Sequence, residues 1–220
     1  MTAEPLTIDV VSDVACPWCY VGKNRLVTAA ERIGDDIPLQ IRWHPFQLDP
    51  TLPKAGKDRR EYMVEKFGSL ERIETVHATL AGLGEEIGIA FDFDAMKVSA
   101  NTIDAHRLIR WAGSQGPDMQ LRMVSALFRA FWEEGKNIGD DAVLLEIATE
   151  VGLDPEIVGQ LLSGDADRAE VRRDVENAQR MGITGVPCFI LGGKYAVMGA
   201  QSVEALEDAI RQVEAERRAG

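Results

Sequence analysis

Residues 6–12, "LTIDVVS", alternate apolar and polar positions, with Leu6, Ile8 and Val10 on one face, and predict a half-buried strand. Leu26, Ala30 and Ile33 then recur at helical spacing and predict a helix that ends where "GDD" breaks the chain. "PLQIRWHPF" alternates again, with Leu39, Ile41 and Trp43 facing one way and Gln40, Arg42 and His44 the other. The first 46 residues therefore predict β-α-β.

Near Asp49 the pattern changes. "LDPTLPKAGKDRRE" is rich in Pro, Gly and charge, and reads as a loop. From there to about Met181 the apolar positions are spaced for helices. Val76, Leu80, Leu83 and Ile87 form one stripe, Leu121, Val124, Phe128 and Phe131 a second, and Val143, Ile147 and Val151 a third, closed by Gly152. "SANTIDAHRLIRWAG" opens with Ser99 or Asn101 as the expected cap. A long helix from about Ala166 to Met181 carries Val171, Val175 and Ala178. Past Gly182 the period returns to two. "CFIL" and "KYAVM" flank Gly192 and Gly193, which suit the positive φ of a two-residue hairpin turn. Val203, Leu206, Ile210 and Val213 mark a final helix. The order is β-α-β, a helical block, then α-β-β-α, without an internal repeat.

Composition narrows the partners. The chain has 220 residues, 45% hydrophobic and 27% charged, with a net charge of −12, ordinary for a globular protein of one core. So acidic a chain is a poor match to nucleic acid or to an anionic membrane surface. No apolar run approaches the roughly 20 residues of a membrane span. "MTAEPLTIDVV" lacks the basic and apolar regions of a secretory signal, so the expected location is cytoplasmic. Three cysteines exclude a disulfide scaffold. A CxxC in a reducing compartment points to catalysis or metal rather than to structure.

That CxxC lies in "SDVACPWCYVG". Pro17 suits the first position of the predicted helix, which puts Cys16 at the helix start. There the free N–H groups and the positive dipole end favour thiolate over thiol. Cys19, one turn further in, is placed to resolve a mixed disulfide formed on an exposed Cys16. A zinc site would need four ligands, and beyond the pair only Cys188 and three histidines remain, without a second CxxC or an HxxxH. Haem attachment would need His where Tyr20 stands. The remaining alternative is a pair of inert buried thiols. "GITGVPCFI" supplies a proline at a strand start, either an ordinary trans Pro187 or a cis one that leaves the Val186 backbone free to pair with a peptide. Cys188 reads as a small buried hydrophobe or as a third redox thiol. His106 and Asn101 each have two readings, a role within their helix or a polar group facing the site. Trp18 is expected to stand partly exposed beside Cys16 as an apolar wall. No catalysis is expected of His44 on its strand, and His77 is expected on a solvated helix face.

The phrases "SDVACPWCYVG", "RWHPFQL", "NTIDAHRLIRWA", "NIGDDAVLLEIATEVGLD" and "GITGVPCFILGGKYAVMGAQ" span nearly the whole chain. In this order they resemble the DsbA family, and within it the FrnE-like subgroup that borders 2-hydroxychromene-2-carboxylate isomerases and kappa-class glutathione transferases. The resemblance implies an α/β thioredoxin fold with a large all-helical insertion. Its first part is 1–48, the helical insertion 49–165, and its second part 166–220. It implies Cys16 as nucleophile, Cys19 as resolver and Pro187 as the cis-proline, with Pro17, Trp18 and Val186 against the substrate. The implied function is protein thiol–disulfide exchange without metal or prosthetic group. Its partners would be protein or peptide thiols, with glutathione as a co-substrate whose γ-glutamyl end meets Ala200 and Gln201. Two other readings stay open: a glutathione-dependent isomerase or transferase, and a thioredoxin-fold chaperone. Oligomeric state is open, a homodimer included. The isomerases and transferases typically carry Ser where this chain has Cys16, which favours redox chemistry here. The periplasmic DsbA proteins carry His where this chain has Trp18, which favours a less oxidising pair.

Overall fold

The computed structural model describes residues 4–219, so the ends of the expected segments, residues 1 and 220, lie outside the described residues. β1 (Leu6–Ser12) pairs in parallel with β2 (Leu39–Pro45), Leu6 opposite Leu39 and Val10 opposite Trp43. The crossover is α1 (Pro17–Ile33), followed by a single 3₁₀ turn at Gly34–Asp36. On the other side of β1 lies β5 (Cys188–Leu191), antiparallel, and beyond it β6 (Tyr195–Met198), giving the order β2-β1-β5-β6. The β5–β6 turn puts Gly192 at φ 59° and Gly193 at φ 67°, the left-handed region that a two-residue hairpin requires.

Both faces of this sheet are covered. Leu6, Ile8 and Val10 join the main core with Leu26 and Ile33 of α1 and with Leu206 and Ile210 of α9 (Val203–Ala219). Val11 points the other way, onto Ala178 of α8 (Arg168–Arg180). β1 is therefore buried on both sides near its end, which sequence alternation alone does not announce. In α1 the buried stripe is Leu26, Ala29 and Ile33, with Ala30 at its margin.

Between β2 and α8 the chain forms β3 (Lys57–Asp58), α2 (Arg59–Phe67), α3 (Leu70–Ile87), β4 (Val98–Ser99), α4 (Ile103–Ser114), α5 (Pro117–Trp132), α6 (Asp141–Val151) and α7 (Pro155–Ser163). β3 and β4 make a two-residue antiparallel ribbon. The expected loop through residue 61 is corrected, because α2 starts inside it, capped by Asp58, whose carboxylate accepts from Glu61 N at 3.0 Å. Tyr62 is its one buried residue, so no apolar period betrays it. The expected cap of α4 is corrected too. The N-cap is Thr102, and Asn101 Oδ1 instead accepts from Ile103 N at 3.0 Å.

One buried cluster runs from the sheet through this block, with Phe128, Phe131 and Trp132 of α5 among its largest members. α5 packs against α4, α6 and β2, so Met123 and Leu127 are buried beside the predicted stripe. Arg107 of α4, fully buried, donates to Asp104 Oδ1 at 2.8 Å and to the carbonyls of Ala166 (2.6 Å) and Gly164 (2.9 Å). It fastens α4 to the α7–α8 junction. Among the described residues no helix is long and apolar enough to cross a membrane.

Candidate active site

Cys16 is the N-cap of α1 and Pro17 its first residue. No side chain caps this helix and its first turn holds no acid, so the positive end of the dipole stays open toward the Cys16 sulfur. The Cys16 backbone is fixed on both sides, its N–H donating to Asp13 O and its carbonyl accepting from Cys19 N, each at 3.0 Å. Cys16 Sγ lies 3.6 Å from the Val186 carbonyl oxygen, and the Val186–Pro187 bond is cis. Gly22 permits this closeness, since a Cβ there would stand 2.9 Å from Pro187 Cγ. Gly199 N–H donates to Pro187 O at 2.8 Å and pins the proline from β6.

The expected exposed attacker is corrected. Cys16 is only 4% exposed and Cys19 is fully buried, while Trp18 stands 37% exposed at the rim. Both cysteines are free thiols. The Cys19 thiol is pushed well above the ordinary range, first by burial, then by its hydrogen bond to Cys16 and the Cys16 charge. Cys19 is therefore held protonated.

Asp13 was not foreseen. It is 1% exposed, accepts from Leu48 N at 2.8 Å and Ala15 N at 3.3 Å, and faces His106 Nε2 at 3.4 Å. It ties the end of β1 to the loop after β2, and at Cys19 its backbone hydrogen bond lowers the pKa while its charge raises it. Nothing in an Asp near a CxxC announces this, because the partners come from distant segments. The structure sets His106 behind Asp13, 3% exposed and off the Cys16 cavity wall. Asn101 holds loops together, donating to Leu52 O at 2.5 Å and accepting from Gln47 Nε2 at 3.3 Å. Neither meets Cys16.

Cys16 opens onto a cavity of about 410 Å³ under α2 and α3, walled by Trp18, Val186, Phe93, Phe131 and Trp132 among others. His77 lines it as well, stacked on Phe93 with centroids 3.9 Å apart, which corrects the expected solvated position. Pro17 shares this wall. Ala200 and Gln201 do not. The Ala200 carbonyl accepts from Arg25 Nη1 at 2.8 Å, and Gln201 Nε2 donates to Met198 O at 2.7 Å. Cys188 faces the opposite side of the sheet, packed with Val11, Phe46 and Ile183. His44, exposed on β2, pairs with Asp9 at 2.8 Å. Among the described residues no group of three or more His, Cys, Asp or Glu is gathered to hold a metal ion.

A dithiol at an uncapped helix start, opposed by a cis X–Pro bond at a strand end, defines the class: thioredoxin-fold thiol–disulfide oxidoreductases. Within it, the chain belongs to the DSBA-like thioredoxin domain family, whose sequence profile matches residues 7–211. It is similar to the structure of the probable DsbA oxidoreductase SCO1869 from Streptomyces coelicolor, with a TM-score of 0.88, 31% identity, and 96% of this chain and 91% of that one covered. It is 29% identical to the uncharacterized protein YwbO of Bacillus subtilis over 92% of this chain and 94% of that one. It is 23% identical to 2-hydroxychromene-2-carboxylate isomerase of Sphingobium xenophagum over 84% of this chain and 88% of that one.

Proposed function

We propose that the chain exchanges thiols and disulfides through the Cys16–Cys19 pair. The Cys16 thiolate attacks a substrate disulfide, a mixed disulfide forms, and the distal sulfur leaves as thiolate and takes up a proton. Cys19 then loses its proton and attacks Cys16 Sγ, expelling the second substrate thiolate. Two electrons pass from the dithiol to the substrate, and the reverse order oxidises a substrate dithiol. Trp18 and Pro17 flank the reacting sulfur, and the Val186 backbone offers a strand edge to a peptide. The observation that carries this reading is the asymmetry of the pair: one sulfur on a cavity wall at an uncapped helix start, the other fully buried and held protonated.

The resemblance to the DsbA family and an intact Cys16, where the isomerases typically carry Ser, favour redox chemistry over isomerisation. A reducing compartment, with glutathione as a small co-substrate near Ala200 and Gln201, is part of the same proposal. Insulin-disulfide reduction by the wild-type chain, lost in Cys16→Ser, is the expected test result. Glutathione-dependent turnover of a small electrophile without net redox change, or suppression of aggregation that survives loss of both cysteines, would overturn it.

A further inference from the structure

Two arginines of the helical block turn inward, Arg107 fully buried and Arg59 half-buried, and they are provided for differently. The Arg107 guanidinium meets a carboxylate and backbone carbonyls. Arg59, the first residue of α2, lines the Cys16 cavity. Its guanidinium lies 5.6 Å from the centre of the Trp132 ring and reaches Ser99 Oγ only at 3.5 Å. Among the described residues no carboxylate forms an ion pair with it. Burial pushes its pKa down to about 10, and its charge, second to burial, lowers that of His77.

The acids on the same wall are engaged elsewhere. Asp13 accepts from Leu48 N and Ala15 N. Asp49 accepts from Thr51 and from the Tyr62 hydroxyl, the latter at 3.0 Å. The second cation of the wall, Lys66, is held by the Tyr62 oxygen at 3.0 Å. A half-buried cation on an apolar cavity wall without a counter-ion stands out, since charges drawn away from water are normally paired. In a chain of net charge −12 it is a local inversion of the surrounding field.

We infer that this cavity takes a small thiol or disulfide carrying a carboxylate on an aromatic or broad apolar arm. The carboxylate pairs with the Arg59 guanidinium, the arm lies against Trp132 and Phe93, and the sulfur reaches Cys16. The inference rests on the reading of Cys16 as nucleophile. A cavity of about 410 Å³ is in the range of small-ligand sites. The planar guanidinium fork matches a carboxylate, and the apolar walls strengthen the pairing. In the reducing direction, the Cys16 thiolate attacks one sulfur of the small disulfide and the S–S bond breaks. One arm leaves as thiolate. Cys19 displaces the other, so two electrons leave the protein and a Cys16–Cys19 disulfide remains.

The test uses the reduced full-length chain in single turnover with two aromatic disulfides. One is 5,5′-dithiobis(2-nitrobenzoate), which carries a carboxylate on each ring. The other is 2,2′-dithiodipyridine, which is neutral. Each rate is normalised to that reagent's rate with free cysteine. Overall charge predicts that the acidic chain disfavours the anion. The inference predicts an anionic-to-neutral ratio of at least about ten in wild type. Arg59→Gln lowers the ratio about tenfold, and Arg59→Lys recovers most of it. Arg60→Gln, an exposed neighbour off the cavity wall, keeps the wild-type ratio. A wild-type ratio at or below one overturns the inference, whether or not the variants fold, and so does a ratio unchanged in Arg59→Gln. If the neutral reagent reacts normally while the ratio is flat, only the anion pairing falls. If neither reagent oxidises Cys16, the nucleophile reading falls and takes this one with it.

Discussion

Cys16 and Cys188 are nearly equally hidden, 4% and 0% exposed, and lie on either side of the same proline. On the front of the sheet, Cys16 is the N-cap of a helix that no side chain caps, touches the Val186 carbonyl and opens onto a cavity. On the back, Cys188 meets Val11, Phe46, Ala178 and Ile183, and burial raises its pKa. Burial therefore does not set the two thiols apart. The separation comes from a polar helix start and a route to the sulfur. Pro187 divides the two environments, because Val186 before it turns toward Cys16 while the residue after it joins the sheet.

Substitutions on the two faces should break different things. The largest effect is expected for Cys16→Ser, which drops insulin reduction to the uncatalysed background. Cys19→Ser comes next. It keeps the first attack and stalls at the mixed disulfide, so a covalent substrate adduct on Cys16 accumulates on non-reducing gels while turnover stops. Equal alkylation rates for Cys16 and Cys19 in the reduced wild type would contradict both. On the back face, Cys188→Ser leaves the reduction rate at the wild-type level but buries a hydroxyl without a partner. A loss of about 1–3 kcal/mol is expected, at about 2–4 °C of Tm for each kcal/mol in a chain of this size.

A further effect is a pH dependence of stability. Cys19 and Cys188 both have pKa values raised in the folded chain. Below about pH 8.5, the ordinary thiol value, folded and unfolded states both keep these protons and stability is undiminished. Above it the unfolded chain releases protons that the folded chain still holds. Stability then falls by up to about 1.4 kcal/mol per pH unit for each thiol, until the folded value is reached. The urea midpoint of the reduced protein should drop between about pH 8 and 10, less steeply in Cys188→Ala. Equal slopes in the two proteins would show that Cys188 is not held as the packing suggests.

The frame was legible because its signals are local. Alternation in "LTIDVVS" and "LQIRW" marked the parallel pair, and Gly192–Gly193 marked the hairpin. Cys16, Pro17 and Cys19 were legible for the same reason, since a helix start is written in a few adjacent residues. The cavity was not. Arg59 looks like a loop charge until α2 is known to begin with it, and His77 looks solvated until Phe93 is stacked on it. His106 and Asn101 each carried a reading at the site beside one within their helix, and backbone groups and Asp13 engage them. Polar residues of this kind are placed by long-range contacts, which periodicity does not encode.

A redox titration in glutathione buffers, read by alkylation and peptide mass mapping, decides whether Cys16 and Cys19 form one redox couple from which Cys188 is excluded. A single two-electron transition that joins Cys16 to Cys19 is expected. Its potential should lie nearer the roughly −270 mV of thioredoxin than the roughly −120 mV of DsbA, with Cys188 a free thiol throughout. A disulfide that includes Cys188, or a Cys16–Cys19 pair that stays reduced at every oxidising poise, would contradict it.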